Sequence, residues 1–310
     1  MPYMILIALM ALAGSLPQGT GGEPTSPPPS DASDGDDGAD IGNDDVSNAA
    51  TRPSRYVTPY RFHFVVTLDE LLFDATLARG KPSDQSSVPE SEWSSAAVRE
   101  KWGAWGPPQR QFACPESVLD KISFWKRRRV LASASRFVGF QYQHHHIPDW
   151  MPPPDWPWTK TCASTNGRGV DCSNFTAFNY NWGLGIHLSC SITRQASESV
   201  VSSSHGKVTA EVIRRPDGEP DAWFDQLVKT LQPGDLLYIR SNDMSKISHV
   251  VMWMGDAAVS EDGTPLVIDS HGGEVLDRAN HVIPCGIYLR PFRKGSWYHR
   301  CFDHAHRWVK

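Results

Sequence analysis

The chain is short of several things. Its six cysteines include no Cys-x-x-Cys pair, which removes the usual spacing of a structural zinc site. It has no internal repeat, which excludes a stacked-repeat architecture. The opening apolar run, residues 4–12, is too short to span a bilayer. The Lys or Arg usual before a signal-peptide run is missing. No cysteine follows the run directly, so a lipoprotein anchor is not supported. Net charge is also small, formally −5, with much of the acidity in residues 31–45. Such a balance gives no sign of nucleic-acid binding. One basic run, Lys126-Arg127-Arg128-Arg129, stands without a wider basic stripe and reads as the solvated face of a helix.

The 310 residues suffice for one large domain or two small ones. With 40% hydrophobic and 21% charged residues, the composition is that of a soluble globular protein. Residues 4–12 lead into Ala11-Leu12-Ala13, the pattern of a secretory signal peptide covering residues 1–18. Export to a secreted or periplasmic location is therefore expected. There the cysteines would meet an oxidising environment. If Cys172 is a nucleophile, the other five (Cys114, Cys162, Cys190, Cys285 and Cys301) allow at most two bridges.

Residues 19–55 are rich in Gly, Pro, Ser, Asp and Asn, and bury too little to offset chain entropy, so a disordered linker is expected. Residues 56–115 read as an N-terminal extension packed on the main domain. Phe62, Phe64 and Val66 alternate like a strand, Asp69 to Ala78 predicts a helix, and the aromatic stretch 102–115 would lie across the domain. The main domain is residues 116–310. Val118, Ile122, Trp125, Leu131 and Val138 recur at helical spacing after Pro115. A helix is expected from Cys172 to Gly183 and another around Trp223, Leu227 and Leu231, stopped by Pro233-Gly234. Strands follow at 236–240, 249–254, 266–270 and 286–292. Helices first and antiparallel strands afterwards define an α+β domain, with helices packed on one side of the sheet.

The chemistry centres on Gly169-Val170-Asp171-Cys172-Ser173-Asn174-Phe175. A cysteine at a helix start has its thiolate favoured by the positive end of the helix dipole. Exposed amides of that turn can also hold an oxyanion. Downstream, His249 lies on a strand, sharing a face with Val251 and Trp253. Asp269 and His271 sit two apart on the next strand and so point to one face. If the two strands pair as a hairpin, one of them can reach the far nitrogen of His249 and fix its tautomer, as the third member of a Cys-His-polar triad. The choice between them stays open.

Three motifs in this order resemble the NlpC-type cell-wall cysteine peptidases. Gly169 to Phe175 looks like the Asp-Cys-Ser motif of that family. Gln232-Pro233-Gly234-Asp235 resembles its Pro-Gly-Asp turn, and Ser248 to Gly255 is similar to its catalytic-histidine strand. The resemblance covers about residues 136–291. It implies a reduced papain-like α+β fold and hydrolysis of amide bonds in peptidoglycan peptides, usually the bond from the D-glutamate side chain to a diamino acid. Cys172 would be the nucleophile and His249 the general base and acid. Asp269 falls where the family carries its third polar residue, most often histidine, and His271 is close in register. Tyr142 matches a tyrosine beside the nucleophile, and Asp171 and Ser173 match residues shaping the substrate site. No metal or organic cofactor, nucleic-acid partner or stable membrane span is implied.

The departures are informative too. Asn174 stands where the family has glycine, and the glycine pair expected after the tyrosine is absent. Instead there is an insertion with His144-His145-His146, Asp149 and a Trp-rich stretch, 150–158. Adjacent histidines in an extended chain alternate faces, so cleft lining or packing is expected rather than a metal site. An amidase or acyl transferase on the same fold remains an alternative. So does a non-catalytic wall-binding protein, with Cys172 bridged to Cys162 or Cys190.

Overall fold

The computed structural model describes residues 56–75, 81, 84–153, 155–156 and 168–310. The expected signal peptide and linker, together with Cys162, lie outside the described residues. The helices are α1 (Leu68–Leu71), α2 (Ala96–Trp102), α3 (Glu116–Leu119), α4 (Ser123–Ser135), α5 (Cys172–Leu184), α6 (Ile192–Ser197), α7 (Pro220–Thr230) and α8 (Trp297–Arg300). The strands are β1 (Arg61–Phe62), β2 (Ile186–His187), β3 (Val200–Ser203), β4 (Gly206–Thr209), β5 (Glu211–Arg214), β6 (Leu236–Arg240), β7 (Ile247–Trp253), β8 (Ala258–Val259), β9 (Leu266–His271), β10 (Val275–Leu276), β11 (Val282–Ile283), β12 (Gly286–Pro291) and β13 (Phe302–Arg307).

The domain is α+β. Its main sheet runs β12-β9-β7-β6-β13-β5 with every pair antiparallel. Strand alternation splits the core in two. Val250, Met252 and Ile268 face Phe175 and Phe178 of α5. Val251, Trp253 and Val267 face Trp223 and Leu227 of α7 and Tyr298 of α8. Helices therefore cover both faces, where one covered face was expected. The physical reason is in the strands: β7 and β9 are apolar on both sides, so both sides must be covered.

Helix α5 runs through the middle of the domain, and all of its residues are buried. Asp171 caps its start in extended geometry by accepting from the Asn174 amide, and Gly185 ends it in the left-handed region at φ 63°. Its buried polar residues are satisfied internally. Ser133 Oγ donates to Asn179 Oδ1 at 2.7 Å, and Tyr180 Oη donates to the Gly234 carbonyl at 2.6 Å.

Other expectations shift. The helical pattern from 116 to 138 forms two helices, α3 and α4, with Pro115 as the cap of α3. Helix α1 is a single turn ending at Leu71. The basic run on α4 is not a solvated face. Arg129 is fully buried and pairs with Asp74 through two 2.8 Å contacts, and buried Arg128 pairs with Asp256. Cys190 and Cys301 carry free thiols, so the fullest expected disulfide pairing does not form, nor does a Cys172–Cys190 bridge. No helix among the described residues is long and apolar enough to cross a membrane.

Candidate active site

The turn before Cys172 is held from two sides. Gly169 lies against residue 141, where a Cβ would come within 2.4 Å of the Gln141 carbonyl, so only glycine fits. The Val170 amide donates to that carbonyl at 3.1 Å. On the other side Ser270 Oγ donates to the Val170 carbonyl. Ser270 sits between Asp269 and His271, so this bond ties the start of α5 to the strand carrying both residues.

His249 and Asp269 come together on neighbouring strands. Strands β7 and β9 pair with Met252 opposite Ile268 and Trp253 opposite Val267. His249 Nε2 donates to Asp269 Oδ2 at 2.7 Å, and both residues are buried. Asp269 accepts two further bonds, from Arg290 Nε to Oδ1 at 2.9 Å and from Tyr298 Oη to Oδ2 at 2.8 Å. Burial alone would raise the carboxyl pKa. The Arg290 charge first, and the His249 hydrogen bond and charge next, hold it well below the usual carboxylate range. Burial first, and the Asp269 charge next, push the Tyr298 hydroxyl well above the ordinary tyrosine range, and a Cys172 thiolate would add to that direction.

His271 is placed differently. Its ring stands edge-on to His249, with centroids 5.0 Å apart, and its Nδ1 accepts from the Gly273 amide at 2.9 Å. Burial pushes it down to about 3, with help from the Arg290 and His249 charges and against the pull of Asp269. The imidazole is therefore neutral at ordinary pH. Ligand atoms of His249, Asp269 and His271 all lie within 4.8 Å of one another, a donor set that a metal ion could use. Arg290 already matches the Asp269 charge, however, and His249 and Tyr298 both occupy Oδ2, so the cluster is better explained as a hydrogen-bonded network.

Around the helix start, Asp171 is fully bonded. It accepts from the Asn174 amide at 2.9 Å, from Asn174 Nδ2 at 2.6 Å and from Ser173 Oγ at 3.1 Å. Burial still raises its pKa to about 6, against the His144 charge and these hydrogen bonds. The Ser173 hydroxyl also reaches the Cys190 carbonyl at 2.6 Å. Tyr142 packs beside Gly272, whose added Cβ would stand 3.2 Å from the ring. His144 meets the rings of Tyr142 and Trp105 edge-on, at 5.3 and 5.2 Å. His146 Nδ1 contacts Asn174 Oδ1 at 3.0 Å, and His145 stacks on Trp150 at 3.7 Å. The three histidines thus serve three different contacts. Asp149 pairs instead with Arg168 and Gln85.

Three residues of this site escape the sequence reading: Arg290, Trp297 and Tyr298. The Trp297 ring lies 5.6 Å from that of His249 and 5.8 Å from that of His271. The available signal was Arg290 itself, a charged residue inside the otherwise apolar run 287–292.

The site thus consists of a buried Cys-bearing helix start, tied through Ser270 to β9, and a buried His–Asp pair on the antiparallel sheet of an α+β domain. Residues 159–278 match the model of the NlpC/P60 family, whose members are generally cell-wall peptidoglycan hydrolases of the cysteine peptidase type. The resemblance read from the motifs holds over this segment, which includes Asp171, Cys172, Ser173, His249, Asp269 and His271. Tyr142, Arg290 and Tyr298 fall outside it. Among solved structures, the chain is similar to an NlpC/P60 family protein from Bacillus cereus ATCC 10987, at 17% identity and TM-score 0.33. That match covers 59% of this chain and 40% of the other. It is also similar to the NlpC/p60 domain of the peptidoglycan hydrolase SagA, at 16% identity and TM-score 0.31, covering 58% of this chain and 97% of that domain. No curated protein matches the chain.

Proposed function

We propose that this chain is an exported cysteine endopeptidase that hydrolyses amide bonds in peptidoglycan peptides. The observation that carries the reading is the buried His249–Asp269 bond at 2.7 Å, on a strand tied by Ser270 to the turn that presents Cys172.

The roles follow from that arrangement. Asp269 accepts a hydrogen bond from His249 Nε2–H, which keeps that proton on Nε2 and leaves Nδ1 as the nitrogen that exchanges a proton with Cys172. The Cys172 thiolate attacks the amide carbonyl, and amides of the first turn of α5 receive the oxyanion. Imidazolium protonates the leaving amine as the C–N bond breaks. His249 then deprotonates a water that hydrolyses the thioester, and the thiol is restored. His271, neutral and bonded to Gly273, stays out of the proton path. Tyr142, Asp171 and Ser173 line the substrate side of the nucleophile.

The test is alkylation of Cys172 by iodoacetamide at neutral pH, read by peptide mass spectrometry. Rapid labelling of the wild type, slowed by about 10²-fold or more in His249→Ala, is expected. Equal, slow labelling of both proteins would contradict the reading.

A further inference from the structure

Asp269 is bound more heavily than an orienting carboxylate requires. Its side chain is fully buried, and three donors converge on it from three elements: His249 on β7, Arg290 on β12 and Tyr298 on α8. Arg290 stands two residues beyond Tyr288, the partner of Asp269 across β9 and β12, and so shares its face of the sheet. The guanidinium is also fully buried, and its Nη2 donates to the carbonyls of Pro284 and Gly286 at 2.9 and 3.0 Å. Backbone anchors on one side and a carboxylate on the other leave it one position. Tyr298 is buried as well, and its hydroxyl points to the oxygen that His249 uses.

We propose that Arg290 and Tyr298 are positioning residues that hold Asp269 ionised and aligned, and through it fix the proton of His249 on Nε2. This rests on the Cys172–His249 pairing proposed above. Both residues lie beyond the segment matching the family model, which ends at residue 278. The carboxy-terminal strand and helix thus complete the third position of the triad in this chain. A buried aspartate needs such support. With no matching cation it would take up a proton, and a protonated Asp269 would lose the charge that holds the His249 proton on Nε2 and stabilises the imidazolium.

The charged and titratable groups facing Asp269 are His249, His271, Arg290, Tyr298 and, through Tyr298, Cys172. Arg290 is the permanent cation among them. Removing it makes every neighbour bind protons more readily, so the pH below which Cys172 stops reacting must rise. A purely structural contribution would lower reactivity without moving that limb.

The experiment is the rate of Cys172 alkylation by iodoacetamide across roughly pH 4 to 9. It uses the full chain as wild type, Arg290→Met, Arg290→Lys and Tyr298→Phe, with circular dichroism as the folding control. In Arg290→Met the acid limb should move up by about one pH unit or more, which slows labelling on the limb about tenfold. Arg290→Lys should restore most of the shift, and Tyr298→Phe should show a smaller shift in the same direction. If Arg290→Met does not fold, Tyr298→Phe decides, because it keeps the packed ring. An unmoved limb in the folded variants, or a lysine variant no better than methionine, overturns the proposal. A wild type with no limb below the ordinary thiol range overturns the Cys172–His249 pairing itself, and with it this inference.

Discussion

Asp171 buries a carboxylate where the first turn of α5 needs an acceptor. Its pKa of about 6 lies above the ordinary value of 3.8. The sign follows directly: the folded state binds the proton more tightly, so this contribution to stability is complete below about pH 4 and is lost as pH rises through about 6. Asp171→Asn, neutral throughout, should therefore gain stability relative to wild type by up to about 3 kcal/mol between pH 4 and pH 7. Urea denaturation of both proteins at the two pH values measures it, and an unchanged difference would contradict the assignment. Asn174, at the position where glycine was expected, supplies two of the three donors to Asp171. At this scale the turn before Cys172 was legible, because Gly169 answers the close approach of residue 141 and Asp171 the need for a helix cap. Arg290 and Tyr298 were not, because their bonds to Asp269 depend on β9, β12 and α8 meeting, and no local pattern encodes that meeting.

Among the elements, α4 shows where periodicity misleads. Four consecutive cations look solvent-facing by sequence, yet Arg129 is buried against Asp74 and donates to the carbonyls of Leu71 and Gly183. The partner lies 55 residues earlier, so the pairing was invisible to a local reading. Deleting one member of a buried pair leaves the other charge unmatched. Asp74→Ala should therefore cost about 3–5 kcal/mol in chemical denaturation, and a loss below about 1 kcal/mol would show that Arg129 finds other support. The strands were easier to read. β6, β7, β9 and β12 announce themselves by β-branched and apolar runs, and each begins and ends within two residues of its expected bounds. β13 was missed, since Phe302 to Arg307 carries two histidines, an aspartate and an arginine. It forms a strand because Arg307 pairs with Asp235 of the Pro-Gly-Asp turn and Ala305 lies opposite Leu237.

At the scale of the whole molecule, the site draws on more of the chain than the family segment. Gln109 and Arg110, from the extension, bond to α5 through the Asn174 carbonyl and the Asn181 side chain. Trp105 adds a ring beside His144, and α8 adds Trp297 and Tyr298 beside His249. These additions surround a site whose proposed chemistry is ordinary for a cysteine hydrolase. The most direct measurement is digestion of purified peptidoglycan by the full chain and by Cys172→Ala, with the released products identified by mass. The wild type should release fragments cut within the stem peptide, at the bond between D-glutamate and the diamino acid, and Cys172→Ala should release none. Identical fragments from both proteins, or none from the wild type, would contradict the account.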